Sequence, residues 1–265
     1  TFNGSFNTYK YLKFALGSSA AKIGSKNYAS LEVATEAVKD GETIELLRNV
    51  TLSTSIMINA EDDRSFNVDL KGKTINSAYI KHSGSGTLTI KGGSLILPNG
   101  SSKGTVFDMN SNGILNIQNC TVYNQNTSSY LTQAVYVISG TVNIKDSTLK
   151  NSGPGCVISV RDKATVNLTN SEVLSTRGYN PLQTDYPIII VYGNMSSGGL
   201  LNISGGKVTA TDTPAIFVAN EASVNISGGA IITSNSTYTT DSGYDYERKP
   251  GAIYKIKGSG NITIS

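Results

Sequence analysis

The chain repeats one pattern of apolar and polar positions along most of its length. An apolar–polar–apolar triplet is followed by two turn-forming residues and a short apolar strand, beginning at Leu88-Thr89-Ile90 and ending at Ile262-Thr263-Ile264. The triplet recurs at intervals of 23 to 27 residues, with two longer intervals of 35 and 38. Short strands repeated at this period predict a chain that winds in stacked coils, each of which buries a face against the next.

Each full coil is predicted to contain three strands. In the middle strand the first and third residues of the triplet point inward and the second points outward. The two residues that follow are Gly-Gly, Asn-Cys, Asp-Ser or Asn-Ser, and Gly, Asn and Asp best tolerate a left-handed backbone. The pattern therefore predicts a tight turn after each middle strand. The third strands are predicted to end at Leu95, Val122, Leu149, Val173, Val208 and Ile231.

The first strand of each coil could adopt two registers, and burial of charge decides between them. The favoured register leaves outward the polar set Asp108, Asn110, Ser159, Arg161, Lys255 and Lys257. It places inward Phe107, Tyr136, Ile158, Ile189, Phe217 and Tyr254. It also leaves an outward apolar column of Val106, Val135, Val157, Ile188, Ile216 and Ile253.

The first fifty residues predict an appendage that covers one end of the solenoid. Ser30 can cap a helix with an apolar face, and Gly41 can end it. Ahead of the helix, residues 9–16 and 21–23 could form a hairpin around Gly17. An open solenoid end exposes its core and unpaired strand edges, so these elements suit a cap. We therefore divide the chain into a hairpin and capping helix at 1–50 and a β-helix at 51–265.

Two segments resemble a known family. The stretch from Lys22 to Val50 resembles the lead-in to the parallel β-helices of large cell-wall proteins of Gram-positive, often gut-dwelling, bacteria, and Phe66–Ile75 resembles their first coil. The resemblance, to right-handed parallel β-helix or pectin-lyase-like proteins, covers residues 22–265. It implies an all-β, right-handed parallel β-helix with three parallel sheets and an N-terminal hairpin and helix cap. It implies no single activity, because the family includes lyases, glycosidases and adhesins.

Composition and counts narrow the function classes. A net charge of +3 without a basic stripe disfavours nucleic acid, and no apolar run approaches the length of a membrane span. Cys120 and Cys156 are predicted to be free and to fill small apolar roles. His82, the only histidine, is predicted to be solvated in a turn, which argues against a catalytic triad or a multi-histidine zinc site. We expect no cofactor and no metal, and the abrupt start at Thr1 suggests a piece of a longer protein.

Candidate ligand-binding residues lie on or beside three long connections between a third strand and the next first strand. These connections are 123–133, 175–186 and 233–250. They form a predicted wall beside the first-strand face, where tyrosines, carboxylates and arginines suit sugar binding. The alternative is that they only cover the outward apolar column. The candidates are Tyr123, Tyr130, Arg161, Tyr179, Asp185, Tyr186, Tyr244, Tyr246, Glu247 and Arg248.

No catalytic residue is assigned from the sequence. A glycosidase needs two carboxylates roughly 5 to 9 Å apart, which Asp185 could form with Asp241, Asp245 or Glu247 only if two connections fold together. The favoured function is an extracellular module, on a bacterial cell surface or wall, that binds a polysaccharide, a host glycan or a host surface protein without chemistry. The alternatives are a polysaccharide lyase or glycoside hydrolase acting in the first-strand groove, and a structural spacer.

The outward positions of the middle strands form a second regular feature. Stacked asparagine side chains can hydrogen bond to one another along the solenoid axis, so a structural ladder is the favoured interpretation. A flat face of Thr and Asn is also typical of ice-binding solenoids, although those have more uniform coils. The ladder positions are Thr89, Asn116, Asn143, Asn167, Asn202, Asn225 and Thr263.

Overall fold

The computed structural model is an all-β solenoid of about seven turns, which confirms the predicted parallel stacking of coils. It describes residues 18–59, 61–128, 131–176, 186–194, 197–211, 213–235, 251–256, 258 and 260–265. One helix, α1 (Leu31–Ala37), accompanies the strands. Most strands are short because each passes along only one side of a coil, and the longest continue around its corners.

The strands follow one another in the chain with short connections. They are β1 (Ala21–Ile23), β2 (Lys26–Tyr28), β3 (Thr43–Leu46), β4 (Val50–Thr51), β5 (Ile56–Ile58), β6 (Phe66–Asp69), β7 (Thr74–Asn76), β8 (Ile80–His82), β9 (Thr87–Leu97), β10 (Thr105–Asn124), β11 (Gln133–Lys145), β12 (Thr148–Asn151), β13 (Ile158–Thr169), β14 (Glu172–Ser175), β15 (Ile189–Tyr192), β16 (Leu200–Ser204), β17 (Lys207–Ala210), β18 (Ile216–Ala219), β19 (Ser223–Ser227), β20 (Ile231–Ser234), β21 (Ile253–Lys255) and β22 (Ile262–Ile264).

Parallel pairing between successive coils produces three sheets. The first sheet contains β5, β8, the starts of β10, β11 and β13, and then β15, β18 and β21. The middle sheet runs from β3 and β6 through the start of β9, the central part of β10 and the ends of β11 and β13 to β16, β19 and β22. The third sheet runs from β4 and β7 through the ends of β9 and β10 to β12, β14, β17 and β20. The inward side chains of all three sheets form one apolar core.

The N-terminal end of the solenoid is covered as predicted by a helix and a hairpin. The Ser30 side chain accepts a hydrogen bond from the backbone N–H of Val33 and caps α1, while Leu31 and Ala34 are fully buried. Strand β1 pairs antiparallel with β2 on one edge and β3 on the other. The hairpin partner of β1 is therefore β2, and residues 9–16 of the predicted hairpin lie outside the described residues. The middle sheet begins with β3, which precedes the predicted domain boundary at residue 50. That boundary stays a prediction.

The turn after each middle strand has the backbone that the sequence predicts. Seven equivalent turns contain a residue with φ between 47° and 76°, in the left-handed region. Six of these residues are Gly, Asn or Asp, which adopt this conformation at low cost. The exception is a lysine followed directly by Gly72, which also has positive φ. The seven positions are Lys71, Gly92, Asn119, Asp146, Asn170, Gly205 and Gly228.

The asparagine ladder of the middle sheet is also confirmed. Each amide nitrogen donates to the side-chain oxygen of the preceding coil, at 2.7 to 3.0 Å from the Asn116–Thr89 pair to the Asn225–Asn202 pair. An additional pair, Asn67 to Thr43, extends the pattern toward the capped end at 3.3 Å. Each ladder amide therefore hydrogen bonds to the side chains of neighbouring coils, as a structural role requires.

The predicted register of the first sheet is wrong for three of its six inward residues. The chain bends as it enters each first-sheet strand, and the carbonyl of Ile188 accepts from the N–H groups of both Val157 and Ile158, at 2.7 and 3.2 Å. Both of these consecutive valine and isoleucine side chains are fully buried. Alternation begins only after the bend, so no single register describes the whole segment.

Cross-coil pairing gives the corrected rows. The inward row contains Phe107, Val135, Ile158, Ile189, Ile216 and Ile253. The outward row, which we call the outer row, contains Asp108, Tyr136, Ser159, Ile190, Phe217 and Tyr254. Tyr136, Phe217 and Tyr254 were predicted inward and face outward instead. The apolar column that was predicted to face outward belongs to the main core, with Ile253 packed against it.

Two residues near the open end depart from prediction. Lys255, predicted to face outward, pairs with Val218 in an inward row, and its Nζ donates to the carbonyls of Gly258 and Gly260. The last third strand was predicted to end at Ile231, but β20 begins there, and Val208 pairs with Ile232. One extra residue after the preceding turn shifts this register, so Ile231 is 55% exposed.

His82 is buried rather than solvated. It lies in β8 in an inward position, between Ile58 and Met109 of the adjacent coils, and is 1% exposed. Its Nε2 lies 3.2 Å from the carbonyl oxygen of Gly86, and its Nδ1 has no hydrogen-bond partner among the described residues. Burial lowers the pKa of His82, although the Gly86 carbonyl and Asp62 oppose this effect. Burial in the core therefore favours the neutral form of the ring.

Candidate functional site

The three long connections leave the solenoid at the same corner, between a third-sheet strand and the next first-sheet strand. They join β10 to β11, β14 to β15, and β20 to β21. Residues 129–130, 177–185 and 236–250 of these connections lie outside the described residues. What can be described is the surface beside them, which is the outward face of the first sheet.

A groove of about 160 Å³ lies on this face. Its base is formed by outer-row side chains of β13 and β15 and by Cys156, and its sides by residues of β11 and of the two connections that flank it. Two tyrosines and one arginine supply its aromatic and charged surface. The lining residues are Leu131, Gln133, Tyr136, Cys156, Ser159, Arg161, Tyr186 and Ile190.

Arg161 is held in place by two neighbours. Its Nε donates to the hydroxyl oxygen of Ser159 at 3.1 Å, and its guanidinium carbon lies 5.0 Å from the ring centroid of Tyr192. Ser159 is 1% exposed, so the hydroxyl that orients the guanidinium is itself fixed by packing. None of the ion pairs among the described residues includes Arg161. The groove therefore contains an oriented positive charge that no described carboxylate neutralises.

A small apolar cluster adjoins the groove toward the open end of the solenoid. Ile190 and Phe217 of the outer row pack there with Cys156 and Ala219, and the cluster is separate from the main core. The rings of Phe217 and Tyr254 stack with centroids 6.0 Å apart. Burial raises the pKa of the Cys156 thiol to about 12, so this cysteine is an unreactive packing residue. Both cysteines are free and buried, as predicted.

The structure brings together two of the ten predicted binding residues. Tyr186 and Arg161 line the groove. Tyr130, Tyr179, Asp185, Tyr244, Tyr246, Glu247 and Arg248 lie outside the described residues. Tyr136, which was predicted to point inward, lines the groove instead. Its outward orientation could have been predicted if the inward–outward alternation of the first strands had been started after the bend.

Tyr123, the tenth candidate, lies elsewhere. It belongs to β10 and to the outward side of the third sheet, next to Lys150 of the following coil. Its hydroxyl lies 2.8 Å from the hydroxyl of Ser152 and 3.2 Å from that of Thr176. Hydrogen bonding to Ser152, and then to Thr176, lowers the pKa of Tyr123. This side chain therefore joins successive coils of the third sheet and does not line the groove.

A larger cavity of about 470 Å³ lies between α1 and the first coil. Its charged lining is largely satisfied within the protein. Arg64 donates to both carboxylate oxygens of Asp62, at 2.8 and 2.6 Å, and to the carbonyl of Val38. Glu32 accepts from the backbone and hydroxyl of Ser53, and although burial alone would raise the pKa of Glu32, these and other hydrogen bonds lower it. These bonds attach the cap to the first coil.

Among the residues that the structure describes, the lining of the smaller groove contains no Asp, Glu or His. In the described ranges there is no group of three metal-ligating side chains. The carboxylates on which the glycosidase alternative depends, Asp185, Asp241, Asp245 and Glu247, all lie outside those ranges. What the groove can do chemically is stack a small ring between tyrosines and contact an anion through Arg161.

No helix in the part of the chain that the structure describes is long and apolar enough to cross a membrane. Comparison of the chain with protein-family models, with characterised proteins and with solved structures finds no match. The function must therefore be argued from the groove and its surroundings.

Proposed function

We propose that this chain is an extracellular β-helix module that binds carbohydrate without chemistry of its own, on the outward face of its first sheet. The observation that carries the proposal is the groove in which Tyr136 and Tyr186 flank an oriented Arg161. Tyrosine offers an apolar ring face and a polar edge, which together suit a sugar. We further propose that the module belongs to the pectin-lyase-like β-helices of bacterial surfaces, to which its first coil is similar.

The groove also fits the general character of ligand sites. Such sites combine apolar and aromatic walls with a few well-placed polar groups. Here Leu131 and Ile190 provide the apolar part, and Gln133 and Ser159 add hydrogen-bonding groups beside the arginine. By contrast, the asparagine ladder of the middle sheet is a flat surface whose amides already bond to one another. The groove is therefore the better candidate for ligand binding.

The test is retention on a glycan array by the whole chain. Tyr136→Ala combined with Tyr186→Ala should reduce retention by about fivefold to about a hundredfold, because each stacked ring contributes about 0.5–1.5 kcal/mol beyond its burial. Tyr123→Ala is the matched control, since it removes a tyrosine from the third sheet, away from the groove. Thermal unfolding should confirm that both proteins are folded.

Three outcomes would contradict this proposal. Equal loss of retention in the control would place the binding surface elsewhere. No retention of any glycan by the unchanged chain would favour the spacer interpretation. Release of sugar products from a retained polymer would favour the lyase or glycosidase alternative.

A further inference from the structure

The guanidinium of Arg161 is the unusual group in the groove, because it is half-buried and has no described anionic partner. Arginine has five N–H donors, and the Nε of Arg161 uses one of them on Ser159. Neither terminal nitrogen forms a hydrogen bond with the described residues. The remaining four donors, in a planar fork, therefore have no hydrogen-bond acceptor among the residues that the structure describes.

The neighbours of Arg161 prepare it to bind an anion. Stacking on Tyr192 and the bond to Ser159 restrict the side chain, so binding costs less conformational entropy than at a free arginine. Two acidic groups of the described strands form hydrogen bonds to other residues. Asp162 accepts from the side chain of Asn194, and Asp108 accepts from the hydroxyl of Tyr79. A planar carboxylate is one of the anions that match a guanidinium fork with two parallel hydrogen bonds.

The dimensions of the groove limit what accompanies that carboxylate. At about 160 Å³ it is smaller than the roughly 300–1,000 Å³ of sites that enclose a drug-sized ligand. It shares Ile190 and Cys156 with the apolar cluster that contains Phe217, on the side of the C-terminal coils. A volume of this size favours one sugar ring beside Tyr136 and Tyr186 over a stretch of several sugars along the solenoid axis.

We propose that the groove recognises one terminal sugar residue that carries a carboxylate, with the carboxylate on Arg161 and the ring beside Tyr136 and Tyr186. This inference rests on the proposed carbohydrate binding and specifies its ligand class. It differs from binding along the axis of the solenoid, because only the end of a glycan chain enters the groove.

The experiment compares oligosaccharides of equal length on one array. The probes end in a carboxylated sugar, end in the neutral sugar of the same ring, carry the carboxylated sugar only internally, or end in a sulfated sugar. The unchanged chain should retain the carboxylate-terminated probe at least about tenfold more strongly than the other three, as expected for a hydrogen-bonded charge pair. Retention should also weaken with added salt.

Two variants that each remove one positive charge distinguish direct contact between Arg161 and the carboxylate from a general electrostatic attraction to the protein. Arg161→Gln should abolish the preference for the carboxylated terminus, and Arg161→Lys should restore only part of it, because lysine lacks the planar fork. Lys163→Gln is the control. It removes the same charge from an exposed position two residues away that does not line the groove, so it should change retention less than about twofold.

The possible results distinguish this inference from the function on which it rests. Equal retention of neutral and carboxylated termini, with loss in the tyrosine variants, would overturn the inference and leave carbohydrate binding intact. A preference for the internal or the sulfated probe would overturn the proposal that the groove recognises a terminal carboxylated sugar. Equal effects of Arg161→Gln and Lys163→Gln would overturn direct contact. No retention of any probe would overturn both proposals.

Discussion

Replacing His82 with methionine should stabilise the protein, and more so in acid. The side chain is 1% exposed, and the residue at the same position in the next coil is Met109, so the new side chain enters an apolar row that already accepts its type. A buried polar atom without a partner costs about 1–3 kcal/mol, and the variant removes the unpaired Nδ1. The loss of the Nε2 bond to the Gly86 carbonyl costs about 0.5–1.5 kcal/mol.

The carbonyl that loses this bond is not left unpaired, because Gly86 O also accepts from the backbone N–H of Ile114 at 3.1 Å. The net change at neutral pH is therefore expected to centre on about 1 kcal/mol in favour of the variant, within a range of about −0.5 to 2.5 kcal/mol. Packing limits the gain, since the ring contacts the backbone near Gly113, where a Cβ would lie 2.8 Å from His82 Cε1.

The pH dependence follows from the lowered pKa of His82 in the folded state. An unfolded histidine takes up a proton near pH 6.5, whereas the folded one resists protonation, so the folded protein binds fewer protons. The contribution to stability is complete above about pH 6.5 and is lost as the pH falls toward the folded pKa, by up to about 1.4 kcal/mol per pH unit. The variant lacks this loss.

Urea unfolding followed by circular dichroism, at about pH 7.5 and about pH 5.5 on either side of the unperturbed histidine pKa, measures both effects. His82 is the only histidine, so the chain has no second imidazole to confuse the comparison. An identical change in unfolding free energy between the two pH values for both proteins would refute the buried neutral histidine. A variant less stable by more than about 1 kcal/mol at the higher pH would show that packing outweighs the unpaired nitrogen.

Three further predictions use the same urea titration or a thiol assay. An alanine in the left-handed region costs about 1–2 kcal/mol of unfolding free energy, and Gly229→Ala, with open space around it, should cost only that amount. Gly206→Ala should cost much more, because its Cβ would lie 2.2 Å from a backbone oxygen. Asn167→Ala should lower the unfolding free energy by about 1–2 kcal/mol, because it breaks two ladder bonds. Asn225→Ala, at an exposed position of the ladder, should lower it less, and equal losses would contradict a continuous ladder. With the other cysteine replaced by alanine, Cys156 should not react with a disulfide reagent at about pH 8 until the protein unfolds, because its thiol pKa is about 12; rapid reaction of the folded protein would contradict its burial.

The middle sheet could be predicted from the sequence because every determinant of its structure is local. The triplet fixes which side chains point inward, and the next two residues determine whether the backbone can turn. Asn119, Asp146 and Asn170 are informative at single positions, since few other residues adopt a left-handed backbone so readily. The stacked amides follow once the coils are in register, because identical residues then lie one above another.

The first sheet could not be predicted in the same way because its register depends on a bend between coils. The hydrogen bonds from Val157 and Ile158 to the carbonyl of Ile188 join residues about thirty positions apart. A local sequence pattern cannot predict such bonds. His82 was misplaced for a related reason. Its Lys-His-Ser-Gly setting predicts a solvated turn, but its position between Ile58 and Met109 in the stack places it inward. In both cases a tertiary constraint overrides a local preference.

The same correction explains where the candidate site lies. A solenoid with identical coils would present uniform rows, as the middle sheet does, and uniform rows offer no concave site. The outer row of the first sheet changes character along the axis, from Asp108 and Tyr136 through Ser159 to Ile190 and Phe217. The groove lies where the polar part meets the apolar cluster, because there the side chains differ most in size and polarity. This break in the repeat, once Tyr136 is placed outward, is the feature of the first sheet on which the proposal of ligand binding rests.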